Sequence, residues 1–81
     1  VNSLAVYGYV LVRCGGEGAF EKARDKIAAI RGVKSVTTVT GEWDLVVEVE
    51  AGNLRAFGKV ALRIAKTPGV AHSESLVAIE V

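Results

Sequence analysis

The chain repeats itself at an offset of 37 residues, and this duplication restricts the possible folds more than any property of its composition. Ala19-Phe20, Lys22, Ile27-Ala28 and Gly32-Val33 recur as Ala56-Phe57, Lys59, Ile64-Ala65 and Gly69-Val70. Each copy reads as an amphipathic helix that ends near a glycine and feeds a strand. In the first, Phe20, Ala23, Ile27 and Ile30 share one face at helical spacing; in the second, Leu54, Phe57, Val60, Ala61 and Ile64 do. Gly32 and Gly69 suit the helix C′ position, where positive φ costs glycine little, and Pro68 blocks any continuation of the second helix. The same offset maps Val10 and Val12 onto Val47 and Val49, so the strands are duplicated too. The expected order is strand (about Leu4–Arg13), helix (Gly18–Ile30), strand (Val33–Thr40), strand (Asp44–Val49), helix (Asn53–Lys66) and strand (His72–Val81). That is an α+β, ferredoxin-like βαββαβ fold, in which right-handed crossovers put both helices on one face of a four-stranded antiparallel sheet. Two copies are too few for a solenoid.

At 81 residues the chain is read as a single domain spanning 1–81. A domain this short buries only about 60% of the surface its unfolded form exposes, so a second source of stability is expected. One cysteine excludes an internal disulfide, and no Cys/His cluster offers a metal site; no cofactor is expected either. Association is the remaining route, and the strands point to it. In the first strand Leu4, Val6, Val10 and Val12 take one parity, while Ala5, Tyr7, Tyr9 and Leu11 take the other. The last strand has Val77, Ile79 and Val81 opposite Leu76 and Ala78. A sheet with one wet face alternates apolar with polar residues, whereas apolarity on both parities implies a covered second face. With no third layer in the chain, a second copy is the simplest cover, giving a homodimer of the dimeric α+β barrel type. Tyr7, Tyr9, Leu11, Val77 and Ile79 are its expected interface.

A net charge of +1 with interspersed signs argues against direct nucleic-acid binding. The apolar runs are far shorter than the ~18 residues of a membrane span, and Val1–Val12 lacks the basic leader of a signal peptide. A cytoplasmic location is the default expectation.

The chemistry concentrates at Thr40-Gly41-Glu42-Trp43-Asp44, a short glycine-containing link between two β-rich runs, which reads as a hairpin. In its plainest role Gly41 supplies the turn, Asp44 bonds nearby backbone and Trp43 covers a core edge. In its functional role the turn amides receive a carboxylate while Asp44 holds an ammonium, the arrangement needed for a zwitterion. Ser73 and Ser75, at i and i+2, fall on one side of the last strand and offer two hydroxyls to the same cleft. Cys14-Gly15-Gly16-Glu17-Gly18 lacks the Gly-Lys-Ser/Thr ending of a phosphate-binding loop and the spacing of a dinucleotide fingerprint. Cys14 has no activating neighbour in sequence, and His72 stands alone at a strand start. Lys22, Arg24, Lys26, Arg55, Lys59 and Arg63 read as solvated helix faces.

Val39-Thr40-Gly41-Glu42-Trp43-Asp44-Leu45-Val46-Val47 resembles the central hairpin signature of the effector-binding domain of Lrp/AsnC regulators, a Thr-Gly-acidic-aromatic-Asp turn before an apolar strand. Ile30-Arg31-Gly32-Val33 and Pro68-Gly69-Val70, the latter ahead of Ser73 and Ser75, match further recurrent positions, so the resemblance covers almost the whole chain. It implies amino-acid or related effector binding between subunits, and dimers that assemble into octameric or decameric rings. Carried over by position, Gly41 and Asp44 contact the effector's backbone groups, Glu42 and Trp43 shape the cleft, and Ser73 and Ser75 line it. The family often has threonine at the positions of these serines, and often a Pro-Gly-type segment before the first helix. Only about three residues precede the first strand, so a helix-turn-helix is not expected here. The chain is either a stand-alone effector module or a piece of a longer regulator. The implied function is effector sensing and assembly without catalysis, with full-length Lrp/AsnC-type regulators as further partners.

Two enzyme readings of the same topology compete. A small dimeric α+β barrel monooxygenase or isomerase needs a buried acid–base pair, for which only His72 and Arg13 are available on strands, neither with an evident partner. An acylphosphatase needs an arginine in the loop after the first strand, which Cys14–Gly18 does not supply.

Overall fold

The computed structural model describes residues 5–16 and 18–79. The elements follow the expected order: β1 (Val6–Cys14), α1 (Ala19–Ala28), β2 (Val33–Thr38), β3 (Leu45–Ala51), α2 (Leu54–Ala65) and β4 (Val70–Val77). All pairings are antiparallel and the sheet runs β2-β3-β1-β4. This is the ferredoxin-like α+β fold. The expected first-strand start at Leu4, the last-strand end at Glu80–Val81 and Glu17 of the glycine-rich link lie outside the described residues.

The core sits between the sheet and the two helices. Val10 and Val12 of β1, with Leu45, Val47 and Val49 of β3, meet Ala23 and Ile27 of α1 and Phe57 and Ile64 of α2, all essentially fully buried. The β1–β3 register pairs Val10 with Val47, its own counterpart in the repeat, and Gly8 and Val12 flank that pair opposite Val49 and Leu45. A pseudo-two-fold axis therefore passes through the Val10–Val47 pair. The symmetry breaks at one packing contact. A methyl group on Gly8 would collide with the Leu76 carbonyl oxygen and stand 2.8 Å from Phe57 Cζ. Leu45 fills the equivalent place in the second copy, so Phe57 reaches the sheet while Phe20 is only half-buried.

The glycines at the helix ends do a different job from the one expected. Both helices stop earlier, at Ala28 and Ala65, with C-caps at Ala29 and Lys66 in right-handed conformation. Gly32 and Gly69 sit four residues beyond, at φ 102° and 98°. Val33 N–H donates to the Ile30 carbonyl at 3.1 Å, and Val70 N–H to the Thr67 carbonyl at 3.1 Å. Each glycine thus holds the third position of a four-residue turn, where a type II geometry demands positive φ, and Pro68 holds the favoured second position. Thr67, itself buried, donates its hydroxyl to the Arg63 carbonyl at 2.9 Å and so satisfies one of the open acceptors at the end of α2.

The open face of the sheet needs a correction. In the β1–β4 register Tyr9 lies opposite Leu76, Leu11 opposite Glu74 and Arg13 opposite His72. Directly paired residues share a face, so Leu76 joins Tyr7, Tyr9, Leu11 and Val46 on the side away from the helices. Val77 pairs with Gly8 on the helix side, and Ile79 lies beyond β4 and is 85% exposed. The expected grouping of Val77 and Ile79 with the tyrosines had its parity inverted. Alternation along a single strand separates its two faces but does not say which one the helices cover.

Candidate functional site at the β2–β3 hairpin

Residues 39–44 join β2 to β3. The link is closed by Val39 N–H donating to the Asp44 carbonyl at 2.9 Å, beyond the Thr38–Leu45 pair. Gly41 has φ 114°, and a methyl group there would meet nothing within 4 Å. Glycine is therefore required by the backbone conformation and not by crowding, and the space above the turn is open.

Asp44 is tied to β1 from both its main chain and its side chain. Its N–H donates to the Val12 carbonyl at 2.8 Å, and its Oδ2 accepts from Cys14 N–H at 2.7 Å. The second bond falls where β1 changes register between Arg13 and Cys14, so the carboxylate serves a backbone amide at a bulge. One oxygen of Asp44 is thereby committed to the fold. Burial first, and then the neighbouring Asp44 charge, push the Cys14 thiol up from its ordinary value. Both effects disfavour the thiolate, the opposite of what a nucleophilic cysteine needs.

Trp43 stands at the centre of a cluster. Its ring stacks on His72 of β4 with centroids 5.6 Å apart and planes inclined by 17°. The Arg13 guanidinium lies 5.4 Å from the same ring's centroid, within cation–π range. Arg13 also reaches back to the hairpin: Nε donates to the Glu42 carbonyl at 2.9 Å, and a terminal nitrogen lies 3.5 Å from Glu42 Oε1. Both side chains are largely exposed, so this ion pair orients the turn more than it stabilises the fold. Arg13 and His72 looked partnerless in the sequence. They are brought together because they pair directly across β1 and β4, and the indole folds onto that pair. Antiparallel pairing of the first and last strands was the only available signal; the register that makes them neighbours runs unbroken from Gly8–Val77 to Arg13–His72 and shifts only after it.

Ser73 and Ser75 do not join this cluster within one chain. They pair with Val12 and Val10, which puts them on the helix-facing side of β4, while Arg13 and His72 occupy the opposite face. Gly41, Glu42, Trp43 and Asp44 are contiguous at the hairpin, and the two serines are separated from them by the sheet.

Against known protein families, residues 8–81 match the model of the Lrp/AsnC ligand binding domain. The chain belongs to the Lrp/AsnC family. Among curated relatives, this Lrp/AsnC domain is 30% identical over 78 residues to an uncharacterized HTH-type transcriptional regulator of Pyrococcus furiosus, covering 93% of this chain and 52% of the relative. The chain thus spans about half the length of the curated relatives it matches. Among solved structures, a protein of Thermus thermophilus superposes with a TM-score of 0.85 at 28% identity, over 94% of this chain and 95% of that one. A transcriptional regulator of Neisseria meningitidis solved as a complex with L-Met superposes with a TM-score of 0.84. It is 20% identical, and the match covers 95% of this chain and 51% of the regulator. At that identity the likeness is one of fold. The Pyrococcus furiosus relative and the Neisseria meningitidis protein are both named as transcriptional regulators, and among the described residues no helix is long and apolar enough to cross a membrane.

Proposed function

We propose that this Lrp/AsnC domain is an amino-acid sensing and assembly module, in which the β2–β3 hairpin receives the effector's carboxylate and ammonium groups. The observation that carries the reading is the hairpin itself. Gly41 leaves open space above the turn, and Asp44 keeps one carboxylate oxygen free of the bond to Cys14. The turn amides suit the effector's carboxylate and the free oxygen of Asp44 suits its ammonium, while Glu42 and Trp43 form the wall. Ser73 and Ser75, across the sheet from Arg13 and His72, reach an effector only when it is held between copies, so the site is completed by assembly.

The assembly unit is a homodimer closed through the open sheet face around Tyr7, Tyr9, Leu11 and Leu76, which associates further into octameric or decameric rings. In the cytoplasm such a module acts by co-assembling with full-length Lrp/AsnC-type regulators and not by binding DNA itself. An effector shifts that equilibrium only as far as it prefers one assembly state over another.

Calorimetric titration with the twenty amino acids is the test, with Asp44→Asn as the comparison. Asparagine keeps an oxygen for the Cys14 amide and removes the charge an ammonium needs, so the fold is retained. The expected outcome is binding of at least one amino acid that weakens by about tenfold or more in the variant, the loss of one charge-assisted hydrogen bond. Binding that is unchanged by the substitution would remove Asp44 from the site.

A further inference from the structure

At the end of β3 away from the hairpin, where α2 passes the α1–β2 turn, lies a cleft of about 550 Å³. Its floor is small and apolar, made by Ala51, Ala56 and Val60 with Gly32 and Gly52. Gly32 is fixed twice over: its φ is 102°, and a methyl group there would stand 2.8 Å from a Val60 methyl. The rim is cationic. Arg31, Lys59 and Arg63 line it, all three are exposed, and none is in an ion pair among the described residues. Glu50 is the one carboxylate-bearing residue that lines the cleft among the described residues. It pairs in register with Tyr7 on the open face, and its Oε1 lies 3.4 Å from Lys34 Nζ, so its charge is already engaged.

The charge pattern of α2 is unusual for a merely solvated helix. Arg55, Lys59 and Arg63 follow one another at i, i+4 spacing, and no acidic residue occurs between Leu54 and Lys66. Like charges at this spacing repel and destabilise a helix. A chain with a net charge of only +1 has therefore concentrated unopposed positive charge beside an apolar hollow.

We infer that this cleft binds an organic anion, an apolar body carrying a carboxylate or phosphate. The anionic group lies between Arg31 and the Lys59–Arg63 pair, where the planar guanidinium forks suit either oxyanion. The apolar body rests on Ala56 and Val60. The volume falls within the range of small-molecule sites. Three rim cations face a single lining carboxylate, that of Glu50, which is directed to the open face beside Lys34. The cleft therefore disfavours an ammonium and discriminates against a zwitterionic amino acid in favour of the corresponding 2-oxo acid. Six residue steps along β3 at ~3.3 Å each separate it from the hairpin by about 20 Å, so the inference does not depend on the effector site proposed above.

The test is an amide NMR titration of the full chain with phenylpyruvate and, separately, phenyl phosphate, with phenylalanine and inorganic phosphate as controls. The expected result is saturable shifts at Gly32, Gly52 and Val60 from at least one of the two organic anions, and the stronger of them identifies the headgroup. Arg31→Ala/Lys59→Ala and, independently, Arg31→Glu should weaken binding by about tenfold or more, while Asp44→Asn leaves it unchanged. Both alter exposed side chains, and the dispersion of the same spectra verifies the fold. The inference is overturned by no saturable shifts, by shifts that persist at full strength in the rim variants, or by inorganic phosphate matching the organic anions, which reduces the cleft to a counterion patch. Shifts confined to residues 41–44 count against it as well, since they place the anion at the hairpin.

Discussion

Asp44 and Cys14 illustrate how one contact settles two questions at the scale of single residues. The carboxylate that looks like an ammonium receptor also receives a backbone amide, and its charge helps to hold the adjacent thiol in its neutral form. A thiol raised in the folded state favours folding by retaining its proton. That contribution is complete below the unfolded pKa and is lost as pH rises through the folded value. Cys14→Ser should therefore lose less thermal stability than the parent between about pH 8 and about pH 10, around the ~8.5 of a free thiol, in paired melting curves. Gly8 makes a second prediction. Gly8→Ala drives a methyl group into the Leu76 carbonyl and the Phe57 ring, and should cost about 1–3 kcal/mol in denaturant unfolding. Of these residues, the sequence marked Asp44 and passed over Gly8, which reads there as an ordinary strand residue. Its importance arises from an aromatic ring almost fifty positions away, a relation no local pattern contains. Arg13 and His72 were opaque for the same reason.

At the scale of elements, periodicity carried most of the information. Phe57, Ile64, Ala23 and Ile27 occupy the core positions their spacing implied, and the order of strands and helices follows from the duplication. Element ends were less legible. Gly32 and Gly69 have the same positive φ whether they cap a helix or turn a chain, so composition alone could not separate the two uses. The face of β4 was hidden likewise, because Val77 and Leu76 are both apolar and only pairing with β1 assigns them. The helix starts differ between the copies. Asn53 caps α2, its Oδ1 accepting from Ala56 N–H at 2.7 Å, whereas Gly18 begins α1 at φ 76° without a side-chain cap. Asn53→Ala should cost about 1 kcal/mol in chemical denaturation. Hydrogen exchange should find the first turn of α1 opening more readily than that of α2.

For the whole molecule, the exposed side of the sheet governs behaviour. Tyr9 and Leu76 are 46% and 42% exposed in the single chain and lie directly opposite each other, with Glu48 and Glu74 on the same face. Fully burying side chains of this size contributes roughly 1.5–3 kcal/mol each, the driving force on which the proposed homodimer rests. Tyr9→Glu/Leu76→Glu should yield a monomer at micromolar concentration in analytical ultracentrifugation, where the parent sediments as a dimer or larger. A parent that sediments as a monomer removes the assembly half of the proposed function. The meeting of Val10 with Val47 across the central seam has a consequence of another kind. A peptide holding only the first strand–helix–strand unit would find, in an identical mate, the same valine waiting across the same seam. A gene half this long would then specify the architecture by self-recognition, and tandem fusion of two such genes would make the encounter intramolecular and leave each half free to diverge, one towards Gly8 and the other towards Leu45.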